Sequence, residues 1–441
     1  MAARAWRGLV PGASIIVAAL LAAGCAQGDT KMVAPGLPPS PWISRAVPEA
    51  RGDVKTLPDG KREAVRYRGW TKQDFGGFRT YAYDDPRPEP PPGKIAMPAG
   101  AGDPKKGRSL FLNRNLGPCT GCHLIQGNDV WPAGNVGPDL STYGNRNLPD
   151  EYTFNLIYDP RHVFPNTLMP PWGTTGVLKP DDIVHIVAFL KTQKGPLPPE
   201  PNPERNPVTR PKPVGFGDNL DPTNNPAVLR AESAEALWAR KGPAGKACAD
   251  CHAGGPRAAM KGVAARYPQY VAGYRRVMAI EDFLTVHSPE ATGLPLLAEG
   301  ADNLDLTMLV KMASNGMPVT LDLARPETAA ALARGKLSFY KRVGQRAHAC
   351  ADCHTTAGAK GADKFLGGRL LANVEAGLTR HFPTWRTSQA DVWDMRKRMQ
   401  WCMTPLGMNM LAADAVEYAE IELYLTAFDV GKPMNVPGIR H

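Results

Sequence analysis

The sequence predicts a mainly α-helical protein, built as three small units of one plan in two domains joined by a proline-rich linker. Three observations predict it. The pentapeptide C-x-x-C-H occurs three times, at Cys119–His123, Cys248–His252 and Cys350–His354, each time after a short helix-forming stretch. Two segments rich in proline have little that could form a core, and so they bound the folded parts. The 441 residues are too many for one ordinary domain and suit two or three.

In chain order, residues 1–26 read as an export signal. Arg4 and Arg7 precede an apolar run, Leu9 to Ala23, that is short for a membrane span and ends in small residues. Ala22-Ala-Gly-Cys25 resembles a lipobox, which would place a lipid on Cys25 and attach the protein to a membrane. Its usual leucine sits one position early, at Leu21, and cleavage after Ala26 is the alternative. Residues 27–101 form a proline-rich extension containing Pro86-Arg-Pro-Glu-Pro-Pro-Pro92, an extended polyproline segment. Residues 102–194 make the first unit. A linker follows at 195–226, with ten prolines between Pro196 and Pro226, and residues 227–441 hold the other two units.

The helix-then-pentapeptide plan repeats. Gly107-Arg-Ser-Leu-Phe111 precedes Cys119, Ala234-Glu-Ala-Leu-Trp238 precedes Cys248, and Gly335-Lys-Leu-Ser-Phe-Tyr340 precedes Cys350. Further helices are predicted over 103–113, 181–192, 303–314 and 412–427 from apolar spacing. Charged residues at 21% and hydrophobic ones at 43% exclude a membrane-embedded or disordered chain.

Of eight cysteines, six lie in the three pentapeptides: Cys119, Cys122, Cys248, Cys251, Cys350 and Cys353. Two thiols at this spacing add to the vinyl groups of haem, and the following histidine becomes the proximal iron ligand. A zinc site normally pairs its motifs, and a redox dithiol does not require the histidine. The expectation is therefore three covalently bound haems c with His123, His252 and His354 as proximal ligands, in an oxidising extracytoplasmic compartment, the periplasm. The formal charge of +10 falls to +8 once Arg4 and Arg7 leave, and haem propionates bring it lower. No arginine-rich tract with interleaved aromatics accompanies this charge, so no nucleic-acid role is assigned.

Each haem needs a sixth ligand or an open position. Met169, 46 residues after His123 in the polar loop Asn166-Thr-Leu-Met169-Pro-Pro, suits the first. Cys402 has no disulfide partner and follows His354 by 48 residues, which makes it a candidate for the third. If Arg396-Lys-Arg-Met-Gln-Trp-Cys402 is helical, Arg398 shares a face with Cys402, where a guanidinium stabilises a thiolate and binds an oxyanion. An inert buried cysteine beside a solvated charge run is the competing reading. For the second haem the candidates are His287, Met278, Met308, Met312 and Met317, with His287 favoured by spacing.

These residues carry a resemblance. The segment Gly102–Thr192 resembles SoxX, the small cytochrome subunit of the sulfur-oxidising SoxXA complex, through the Gly107 helix, Cys119–His123, Val136-Gly-Pro-Asp-Leu140, Asp159-Pro-Arg, Pro165-Asn-Thr-Leu-Met169-Pro and the 181–190 helix. Residues 227–441 resemble the dihaem form of SoxA through Met260-Lys-Gly-Val-Ala-Ala-Arg-Tyr-Pro268, Leu366-Gly-Gly-Arg-Leu-Leu371, Arg398–Cys402, Glu417-Tyr-Ala-Glu-Ile-Glu-Leu-Tyr-Leu425 and Pro437-Gly-Ile-Arg440. The chain looks like a fusion of the two subunits.

The resemblance implies that Cys402 ligates the active-site haem and accepts sulfur, often as a persulfide, with Arg398 beside it. It implies oxidative coupling of thiosulfate to a cysteine of a SoxYZ-like carrier, with two electrons leaving through haem to a soluble cytochrome c. Two departures stand out. The distal cysteine that dihaem SoxA proteins use for their first haem falls at His287, implying His/His coordination there. The arginine usual shortly after the active-site cysteine is missing from Met403-Thr-Pro-Leu-Gly-Met-Asn-Met410. Rival readings are an electron carrier in which Cys402 only tunes a potential, and a thiosulfate dehydrogenase forming tetrathionate.

Overall fold

The computed structural model describes residues 91–113, 119–127, 133–165, 167–196, 224–342, 348–355, 364–366, 369–387, 389–403 and 415–440. It also describes the backbone of three short antiparallel strands, β1 (Val54–Thr56), β2 (Arg62–Ala64) and β3 (Thr80–Tyr81). The export signal, Cys25, the polyproline segment up to residue 90, residues 197–223 of the linker and residues 404–410 lie outside the described residues.

The first unit opens on α1 (Pro104–Leu112), which starts where the Asp103 carboxylate accepts the Lys105 N–H at 2.8 Å and a proline takes the first helical position. After α2 (Cys119–Cys122) and α3 (Asp150–Tyr158), α4 (Pro180–Lys191) crosses back over α1. The crossing is close because of Gly107: a side chain there would come within 1.9 Å of the His185 carbonyl oxygen. Phe111, one turn later, packs its ring 5.6 Å from Phe189.

The second unit runs through α5 (Pro226–Ser233), α6 (Glu235–Ala239), α7 (Cys248–Cys251) and α8 (Gly255–Ala259). A hairpin of β4 (Gln269–Val271) and β5 (Arg276–Met278) leads into α9 (Ile280–Thr292) and α10 (Ala301–Met312). Ala227, Ala231, Ala234 and Trp238 share one buried cluster with Leu304 and Met308 of α10.

The third unit repeats the crossing of the first. α11 (Pro326–Tyr340) and α14 (Val416–Thr426) pack with Gly335 at the contact, where a side chain would lie 1.9 Å from the Glu420 carbonyl oxygen. Phe339 stands one turn after Gly335, as Phe111 does after Gly107, with its ring 5.3 Å from Tyr424. Between these helices come α12 (Cys350–His354), a hairpin of β6 (Lys364–Leu366) and β7 (Arg369–Leu371), and β8 (Thr384–Arg386). β8 pairs antiparallel with β9 (Asp391–Trp393), which feeds α13 (Met395–Met403), and parallel with β10 (Gly438–Arg440). Lys311 on α10 reaches Glu281 on α9 at 3.1 Å and Glu422 on α14 at 3.4 Å, all three buried, and so joins the second and third units.

The fold is mainly helical, as the sequence predicts. Three of the helices, at 104–112, 180–191 and 301–312, fall within a residue or two of the predicted bounds, and the last, predicted from 412, is described over 416–426. The short sheets of the C-terminal half have no counterpart in the sequence prediction, because strands of three residues are too short to establish a period. Among the described residues no helix is long and apolar enough to cross a membrane.

Candidate functional site

All three pentapeptides form a single helical turn that brings both cysteines to one side. In the two Cys-Ala-Asp-Cys-His copies the aspartate caps its own helix: Asp250 accepts the Ala247 N–H at 2.8 Å and Asp352 the Ala349 N–H at 3.0 Å. Two of the histidines are held in the same way. His123 Nδ1 lies 2.8 Å from the Pro138 carbonyl oxygen and His354 Nδ1 2.8 Å from that of Ala372. A backbone carbonyl on Nδ1 sets the tautomer that leaves Nε2 free to bind iron. Burial pushes the His123 pKa down, which keeps the ring neutral and competent as a ligand.

The first site is a cavity of about 420 Å³ whose walls include Cys119, Cys122, His123 and Met169, with Leu140, Ile157, Trp172 and Ile186 as apolar lining. Cys119, Cys122, His123 and Met169 therefore line one apolar space of a size suited to a flat macrocycle.

At the second site the His252 and His287 rings stand 6.3 Å apart, centre to centre. Two imidazoles bonded through nitrogen to one metal at about 2.0–2.1 Å each place their ring centres about 6 Å apart. His287 sits on α9 and stacks on Phe283 at 4.8 Å. Trp238 lies 5.6 Å from His252, and among the described residues its buried indole N–H meets no acceptor, a donor that a bound group with acceptor oxygens would satisfy. Among the other candidates, Met278 and Met308 are fully buried in apolar clusters, and Met312 and Met317 line a surface groove.

At the third site Cys402 lies in the last turn of α13, and Arg398 Nη1 donates to its Sγ at 2.6 Å. Burial pushes the Cys402 thiol up, but the Arg398 charge and the His354 ring outweigh it and bring the pKa down to about 6. His354 and Cys402 thus face one another. The basic run before Cys402 is no solvated stripe, because each cation is used differently. Arg396 is fully buried in a two-bond pair with Asp282 of α9, at 2.7 and 3.1 Å. Lys397 reaches Asp391 at 3.1 Å, and Arg398 turns to the sulfur.

The first and third sites adjoin. His348, Cys353 and Leu366 of the third unit line the first cavity, and the Cys353 thiol is raised by burial and by the neighbouring Cys122. The backbones are stitched together where Asn135 N–H donates to the Phe365 carbonyl at 3.1 Å and Phe365 N–H to Asn135 Oδ1 at 2.8 Å. The second site instead leaves Cys251 exposed.

Two segments of the chain match cytochrome c family models. A family model described as SoxA/TsdA, cytochrome c domain, matches residues 233–319. The L-cysteine S-thiosulfotransferase subunit SoxA of Pseudaminobacter salicylatoxidans is 31% identical over 221 residues, which cover 49% of this chain and 73% of that protein. The chain belongs to the SoxA family. A second SoxA, from Rhodovulum sulfidophilum, is 28% identical, covering 50% of this chain and 75% of the relative. The crystal structure of SoxXA from P. pantotrophus aligns over 50% of this chain and 80% of that one at 25% identity, with a TM-score of 0.45. Residues 102–190 match a family model described as Cytochrome C oxidase, cbb3-type, subunit III. Two cytochrome c domains make this SoxA relative a protein that holds haem c covalently.

The structure also assembles residues that sequence reading missed. Asp282 and Arg342 reach the sites through partners far away in the chain, Asp352 receives Arg342, and His348 lines the first cavity; only the repeated aspartate of Cys-Ala-Asp-Cys-His gave a local signal.

Proposed function

We propose that this protein is a trihaem L-cysteine S-thiosulfotransferase that couples thiosulfate oxidatively to a cysteine of a SoxYZ-like carrier. The observation that carries the reading is the Arg398 guanidinium set 2.6 Å from the Cys402 sulfur, with the His354 ring opposite. Haem c bound at the three motifs supplies one-electron acceptors. His123, His252 and His354, together with Met169, His287 and Cys402, are the side chains that would hold the three irons.

Arg398 holds Cys402 as thiolate and offers its remaining N–H groups to the sulfonate oxygens of thiosulfate. A sulfur–sulfur bond forms between Cys402 and the outer sulfur of thiosulfate, giving Cys402–S–SO₃⁻ and releasing two electrons. The carrier cysteine, having lost its proton, attacks that outer sulfur and displaces the Cys402 thiolate. The sum is S₂O₃²⁻ plus carrier thiol giving carrier–S–S–SO₃⁻, one proton and two electrons.

The shared wall between the first and third sites supports exit of electrons through the first unit to a soluble cytochrome c. This reading takes residues 102–194 as a SoxX-like subunit fused to SoxA, in a periplasmic protein exported by residues 1–26 and, if Cys25 is lipidated, tethered to a membrane.

Cys402→Ser tests it. The variant should carry three attached haems by intact mass and lose carrier-dependent thiosulfate oxidation. Full activity in that variant would refute the proposal.

A further inference from the structure

The third unit grips the first on both sides of its cavity. On the proximal side Asn135 and Phe365 exchange two hydrogen bonds. On the distal side a cation spans the junction. Arg342, two residues beyond the end of α11, donates through Nη2 to the Thr167 carbonyl at 2.8 Å and to Asp352 Oδ1 at 3.1 Å. Thr167 in turn takes the Met169 N–H on its hydroxyl oxygen at 3.1 Å. Asp352 is itself fixed, since its other oxygen caps the helix that carries Cys350 and Cys353. A continuous set of hydrogen bonds therefore runs from Met169, through Thr167 and Arg342, into the third pentapeptide.

We propose that Arg342 is a positioning residue that holds the Met169 loop in ligating position and locks its place to that of the third motif. This rests on haem being bound at the first and third motifs with Met169 as a distal ligand. The physical argument is one of order. A loop methionine stays on a metal only while its backbone is held, and loops are drawn from the least stable parts of a fold. Thr167 is the anchor nearest to Met169, and Arg342 supplies that anchor from outside the unit. An arginine suits the position because its planar fork serves a carbonyl and a carboxylate at once, which a lysine ammonium does in no fixed geometry. The guanidinium is half-buried, so water does not replace both bonds at once.

The test is spectroscopic and does not depend on turnover. In the purified full-length protein, the near-infrared charge-transfer band of methionine-ligated ferric haem and the potentials of the haems are recorded for Arg342→Gln and Asp352→Asn. Arg342→Gln is expected to weaken the methionine band and to shift the first haem's potential downwards, because methionine ligation holds that potential up. The signature of the cysteine-ligated haem should stay in place. Asp352→Asn leaves the Thr167 bond and loses only the orienting carboxylate, so it should shift the same properties in the same direction by less. An unchanged band and potential in Arg342→Gln, with all haems attached, would overturn the proposal. If that variant loses haem, an unchanged Asp352→Asn would do so. Absence of the methionine band from the unsubstituted protein would instead overturn the Met169 reading, and this inference with it.

Discussion

The pentapeptide Cys-Ala-Asp-Cys-His occurs at 248–252 and again at 350–354, with the same capping bond from aspartate to the preceding alanine. Everything around the two copies differs. Asp250 is exposed and does nothing further that the structure shows, whereas Asp352 is buried and receives Arg342. Cys251 faces solvent, whereas Cys353 lines the neighbouring cavity. His252 faces a second imidazole stacked on Phe283, and His354 faces a sulfur charged by Arg398. An identical motif thus specifies attachment and no more. What an attached group can do is set by residues that arrive from other helices: α9 for the second site, and α13 with the end of α11 for the third.

The largest effect should come from exchanging the ligand that distinguishes them. His287→Met should alter the visible and magnetic spectra of the second haem while leaving carrier-dependent thiosulfate oxidation unchanged, in contrast to the loss expected for Cys402→Ser. A comparable loss from His287→Met would show that the two sites act together. Arg398→Met removes a charge-assisted bond worth about 1.5–3 kcal/mol, which corresponds to a fall of roughly 10- to 150-fold in kcat/KM for thiosulfate. Steady-state kinetics at saturating carrier would measure it.

A stability contrast comes next. Arg396→Met strands the buried Asp282 carboxylate and should cost about 3–5 kcal/mol in denaturant unfolding, whereas Arg240→Met breaks an exposed pair with Asp302 and should cost less than about 1 kcal/mol. The smallest effect separates the two aspartates. Asp250→Ala should cost about 1 kcal/mol as a lost cap, and Asp352→Ala measurably more, because the Arg342 bond goes with it.

Much of this was legible in the sequence because it is local. The Asp103 cap, the glycine four residues before Phe111, the pentapeptides and the Arg398–Cys402 spacing all lie within a turn or two of helix. His287 and Met169 could be proposed as candidates from spacing, since each follows the histidine of its motif by a few dozen residues. The contacts that make the sites unequal could not. Arg396 and Asp282 are 114 residues apart, and Arg342 and Thr167 are 175 apart. Neither pair leaves a periodic trace, and Arg396 sits in a run that reads as surface charge until the fold buries it. The small sheets escaped for a different reason, since their three-residue strands are held by pairing with distant partners.

The central claim is that the centre at Cys402 joins thiosulfate to a carrier thiol and passes two electrons into the attached haems. Rapid mixing of the oxidised full-length protein with thiosulfate, with and without reduced carrier, under anaerobic conditions tests it most directly. The account predicts that thiosulfate alone delivers at most the two electrons released in forming the Cys402 adduct, and that sustained electron flow needs the carrier, with one carrier–S–S–SO₃⁻ formed for every two electrons passed on. Repeated turnover with thiosulfate alone, with tetrathionate as product, would contradict it.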